Sequence, residues 1–206
     1  MDDLKEHLRD ISEIRGMMER HSKFLSLSGL SGLSAGLCAL IGAIVAWFYL
    51  GKSLDFAGVP IRHTVQELYW FFAVDAGLVM VCALALATLF SLRMARKKSI
   101  PIWSPSGKLL MINLFIPLVA GGAFCLILLY HGELEIIPAA MLLFYGLALL
   151  NASKFTLPEI RYLAFTELIL GLACTLWWHH SLIFWALGFG IGHIVYGAVM
   201  YFKYER

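Results

Sequence analysis

Apolar residues fall into six long runs separated by short polar stretches, at about residues 27–50, 67–92, 109–130, 136–150, 160–178 and 182–202. Most of these runs approach the roughly 20 residues that an α-helix needs to cross a bilayer. Ahead of the first run, Leu4, Leu8, Ile11, Ile14, Met17, Met18, Phe24 and Leu25 recur at helical spacing among charged residues. That pattern predicts an amphipathic helix over residues 1–26, and its mixed charge suits packing on a helix bundle or a partner better than a polybasic lipid anchor. Short turns at His131–Gly132 and at His179–Ser181 make the flanking runs antiparallel neighbours. The expected fold is all-α: a polytopic membrane protein with six transmembrane helices in three antiparallel hairpins over residues 27–206, preceded by a cytoplasmic amphipathic helix. Residues 99–107 hold Pro101, Trp103 and Pro105, which predicts an interfacial segment that is not helical throughout.

Basic residues orient the runs. Lys5, Arg9, Arg15, Arg20, Lys23, Arg93, Arg96, Lys97, Lys98, Lys108, Lys154, Arg161, Lys203 and Arg206 collect on one side, against Lys52 and Arg62 on the other. The positive-inside rule makes the first side cytoplasmic, so both termini are expected there, in a bacterial cytoplasmic (inner) membrane. Trp47, Trp70, Trp177, Trp178 and Trp185 fall near the opposite rim, where an aromatic belt belongs.

Composition narrows the function classes. With 60% hydrophobic and 15% charged residues, six spans and their loops use nearly all of the 206 residues and leave no room for a separate globular domain. A net charge of +2 gives no footprint for nucleic acid. Cys38, Cys82, Cys125 and Cys174 each sit inside an apolar run without CxxC spacing, so they read as small packing residues. The charged start of the chain lacks the pattern of a removable signal peptide. No phosphate loop, zinc-protease, nucleophile-elbow or dinucleotide fingerprint occurs, and a single deep histidine does not supply two axial imidazoles for a haem. No cofactor is expected.

The stretch from Leu150 through Asn151, Ser153, Lys154, Phe155, Pro158, Glu159 and Arg161 to Leu163 resembles a group of uncharacterised small six-span bacterial inner-membrane proteins, as do the segments Ser26–Gly32 and Tyr201–Arg206. That resemblance implies a topology and carries no catalytic residues. The hairpin pattern is also similar to acid-resistance membrane proteins built from repeated helical pairs, a likeness of fold alone. A weak internal echo accompanies it: Gly36-Leu37-Cys38, Gly122-Ala123-Phe124-Cys125 and Gly171-Leu172-Ala173-Cys174 sit comparably in the three hairpins.

Ionisable residues inside spans are the best pointers to chemistry, because each costs about 2.5 to 3.5 kcal/mol on insertion scales. Asp75, Glu167 and His193 qualify. Glu167 and His193 lie equally far from the turn near residue 180, which at 1.5 Å per residue puts both roughly 19 to 20 Å below it. Burial favours a carboxyl's neutral form and an imidazole can take the released proton, so the pair suits a proton relay; the plainer reading is a neutral hydrogen bond between helices. Ser28, Gly32 and Gly36 recur every four residues, and Gly188, Gly190, Gly192 and Gly197 follow in the last span; both sets predict close helix contacts, within the chain or in a homo-oligomer. Asn113 and Asn151 mirror each other about the turn near residue 132, which predicts a structural bond. On the outer side His63, His131, His179 and His180 offer a metal-binding set only if their loops converge. Beside an outer-face metal binder built on those loop histidines, two further functional readings follow. One is a small ion or solute transporter or channel-like protein working through Asp75, Glu167 and His193 in a common polar interior. The other is a non-transporting scaffold or sensor that binds a cytoplasmic protein partner through its N-terminal helix.

Overall fold

A computed structural model describes residues 28–51, 64–97 and 104–206. The expected amphipathic helix at 1–26, His63 and Trp103 lie outside the described residues. Within them all regular structure is helical: α1 (Gly29–Tyr49), α2 (Val65–Lys97), α3 (Pro105–His131), α4 (Ile137–Ala152), α5 (Glu159–Leu176) and α6 (Trp178–Tyr204). Helices α1, α2, α3 and α6, together with α4 and its flanking 3-10 turns, are long and apolar enough to cross a membrane. Helix α5 is the exception, because its 18 residues include Glu159, Arg161 and Glu167.

Local chemistry sets several helix ends. The Ser28 hydroxyl accepts from the Leu30 amide at 3.2 Å and starts α1. Glu205, at the far end of the chain, accepts from the Gly29 amide and from the Ser28 hydroxyl, so a carboxylate lies on the positive end of α1. Helix α3 begins four residues earlier than the apolar run suggested, because Ser104 caps it and Pro105 fits its first turn, where no amide is needed. It ends at Gly132, whose φ of 85° is left-handed and frees the chain to turn.

Helix α6 holds the bundle together by contacting α1, α4 and α5, while α2 leans on α1 and α3 on α4. Glycines make the α1–α6 crossing backbone to backbone. A Cβ at Gly197 would strike the Leu33 amide and the Gly29 carbonyl, and one at Gly36 would come within 2.6 Å of the Gly190 carbonyl. Gly32 meets Gly197 and Tyr196, so the small-residue stripe of α1 faces a helix of its own chain. Helices α4 and α5 approach as closely, at Gly146 against Ala164 and at Gly171 against Leu143.

Polar contacts gather the ends. The Asn151 side chain donates to the Asn113 carbonyl at 3.1 Å, tying the end of α4 to the start of α3 at the expected pair of positions. Glu159 and Glu205 join the starts of α5 and α1 to the end of α6. At the opposite end Ala43, Ala46, Leu50 and Leu182 form a cluster covered by Trp47, Phe71, Phe72 and Trp185.

Candidate functional site

Glu167 points from the middle of α5 into the bundle and is fully buried, with 0% exposure. His193 reaches it from α6, with Nδ1 at 3.5 Å from Oε1. The imidazole is held on two further sides. Its Nε2 lies 2.8 Å from the Tyr145 hydroxyl of α4, and its Nδ1 lies 3.2 Å from the Gly188 carbonyl. Phe189 stacks against the ring at 6.0 Å. Three helices therefore converge on one histidine.

The carboxyl is seated differently. Neither Glu167 oxygen has a hydrogen-bond partner among the described residues. A Cβ at Gly188 would lie 2.5 Å from Oε2 and 2.5 Å from a Leu142 methyl, so the missing side chain is what leaves room for the carboxyl. Gly192 does the same more loosely, 3.8 Å from Oε1 by the same measure, beside Leu163. Glycine backbone and leucine methyls line this side of Glu167, with His193 Nδ1 at the edge of reach.

Both glycines belong to a π-helical segment, Ala186–Gly192, where a regular α-helix was expected. The wider turns point Gly188 and Gly192 at α5 while Gly190 meets Leu40 of α1. Segments of this kind strain the helical ladder and recur at functional sites. The bland run Ala-Leu-Gly-Phe-Gly-Ile-Gly reads in sequence as ordinary apolar helix, so nothing in its periodicity announces the change.

Asp75 does not join the pair. It sits on α2 against Gly42 of α1, where a Cβ would be 3.5 and 3.7 Å from its two oxygens. The polar interior common to Asp75, Glu167 and His193 is thus replaced by two separate places, one where α2 meets α1 and one where α4, α5 and α6 converge. The rim histidines also stay apart in role. His131 lies edge-on to Tyr130 and His179 lies against Trp178. Among the described residues no group of three His, Cys, Asp or Glu side chains gathers to hold a metal ion.

Tyr145 is the member that sequence reasoning passed over. It stands thirteen residues beyond the turn at 132, just as Glu167 and His193 stand thirteen residues from the turn at 180. The depth count that paired the other two finds the phenol as well when applied to the fourth run.

A second acidic site marks the end of the bundle. The Glu159 Oε1 accepts from the Lys203 ammonium at 2.5 Å and from the Tyr204 hydroxyl at 2.9 Å. Burial works to raise the Glu159 carboxyl, but the hydrogen bonds from Lys203, its own backbone and Tyr204 prevail and hold it below the usual carboxylate range. Comparison with protein-family models, with curated proteins and with solved structures finds no match to this chain, so its chemistry is read from the site itself.

Proposed function

We propose that the chain is a six-span inner-membrane protein that moves a small ion or solute by way of the Glu167–His193 pair. The basic residues Arg96, Lys97, Lys108, Lys154, Arg161, Lys203 and Arg206 belong to the cytoplasmic face in this reading, and Trp47, Trp177, Trp178 and Trp185 to the outer one. The three hairpins pair α1 with α2, α3 with α4 and α5 with α6. Helix α5 spans with the rest because its one deep charge-bearing group, Glu167, is turned inward and shielded from lipid.

One observation carries the functional reading: Glu167 is fully buried, 3.5 Å from an imidazole nitrogen, and among the described residues neither of its oxygens is hydrogen-bonded. A carboxyl kept only to fix helix angles gains by saturating its oxygens, since each buried unsatisfied group costs about 1–3 kcal/mol. An acid retained without that saturation is suited to changing its protonation or binding state. The test is flux in liposomes reconstituted with wild type and with Glu167→Gln, each shown to be folded and monodisperse. Under imposed pH and cation gradients, wild type is expected to conduct and the variant to fall to the level of empty liposomes. No flux from folded wild type would overturn the reading and turn the search to partners of residues 1–26.

A further inference from the structure

We infer that the ion bound at this site is the proton, carried by Glu167, and that Tyr145 is a positioning residue that decides which imidazole nitrogen faces the carboxyl. The inference deepens the transport reading and rests on the same site. A metal cation requires a shell of oxygen or nitrogen ligands, commonly six or more for the larger hard ions. Beside Glu167 the structure shows little of that: Oε2 lies by the Gly188 backbone and a Leu142 methyl, Gly192 and Leu163 lie on the side of Oε1, and among the described residues neither oxygen has a hydrogen-bond partner. A proton needs no shell and fits such an apolar seat.

The hydrogen bonds fix the tautomer. The Gly188 carbonyl only accepts, so the imidazole nitrogen 3.2 Å from it, Nδ1, carries the hydrogen. In the neutral ring Nε2 is then the acceptor, and the Tyr145 hydroxyl at 2.8 Å donates to it. The same Nδ1 lies 3.5 Å from Glu167 Oε1. When the carboxyl gives up its proton, the small movement of either side chain that closes this gap brings an N–H donor onto the carboxylate. When the carboxyl is protonated, the N–H stays on Gly188. Tyr145 touches no oxygen of Glu167 yet determines that a donor, rather than a lone pair, faces it.

The experiment is infrared difference spectroscopy of the full-length protein in liposomes across a pH titration, in sodium, potassium or choline buffer. Expected is a carboxylic C=O band that titrates in wild type, is missing in Glu167→Gln, and has the same midpoint in all three salts. Tyr145→Phe is expected to move that midpoint by about one pH unit, a tenfold change in proton affinity. His193→Gln, which breaks the contact from the other side, is expected to move it as well and serves if the phenylalanine variant does not fold. A midpoint displaced by sodium or potassium, or no titrating band assignable to Glu167, overturns the proton assignment. An unchanged midpoint in a folded Tyr145→Phe overturns the positioning role. Flux without a titrating Glu167 would sink this inference and leave the transport reading standing, and titration without flux would do the opposite.

Discussion

Glu159 and Glu167 stand on the same helix, eight residues and so about 12 Å apart, and both are shielded, at 9% and 0% exposure. Their treatment by the rest of the chain is opposite. Glu159 receives an ammonium and a phenol on one oxygen, and the residues that supply them, Lys203 and Tyr204, come from the last turn of α6. Glu167 accepts no hydrogen bond among the described residues, with His193 Nδ1 at 3.5 Å, and rests against glycine and leucine. The acid that fastens two helices is given both its donors on Oε1, while its Oε2 has no hydrogen-bond partner among the described residues. The deep acid instead has an imidazole beside it that also meets a phenol from a third helix. Burial alone does not separate the two carboxyls; the donors on Glu159 Oε1 do.

The largest expected effect from breaking the contrast is on transport. Glu167→Gln should abolish flux while leaving the thermal transition within a few degrees of wild type, because the amide fills the same seat without needing to change protonation. A melt and a flux assay on the same preparation check both halves. Next comes the seat itself. Gly188→Ala places a methyl group on Oε2 and on Leu142, an overpacking expected to cost about 1–3 kcal/mol and to impair flux together with stability.

At the fastening acid the effects are smaller and of another kind. Glu159→Gln should lower the melting temperature by about 2–4 °C, the scale of roughly one lost hydrogen bond in a chain of this size. Its pH dependence follows from the direction of the shift. Because the folded state holds the Glu159 carboxyl below its ordinary value, the stability it contributes is present above the unfolded pKa and is lost as pH falls through the folded one. Wild type should therefore soften on acidification, and the glutamine variant should show a flatter acid limb in melts taken across pH. Smallest of all is Gly122→Ala on α3, where an added Cβ meets nothing within 4 Å, and a change within about 0.5 kcal/mol is expected.

Much of this arrangement is legible in the amino-acid order. Six apolar runs mark the six helices, and counting from the turns places Glu167, His193 and the Asn113–Asn151 contact at matching depths. Rotation about each helix axis is what such counting lacks. Asp75 looks equivalent to Glu167 in a hydropathy profile, yet it turns toward Gly42 of α1 while Glu167 turns toward α6. Tyr145 hides because a phenol is at home in an apolar run, and its role depends on a ring that arrives from a helix further along the chain. The π segment is equally silent, since its widened turns are stabilised by tertiary fit of Gly188, Gly190 and Gly192 against α5 and α1. Helix α5 shows the converse, as two of the three charges that reduce its apolar character, Glu159 and Glu167, are ones the fold pairs or conceals, while Arg161 stays exposed.

Proton flux measured side by side in liposomes holding wild type, Glu159→Gln and Glu167→Gln at equal protein density tests the distinction between the two acids most directly. The account predicts that Glu159→Gln conducts like wild type once folded and that Glu167→Gln does not conduct. Equal flux in both variants, whether retained or lost, would contradict it.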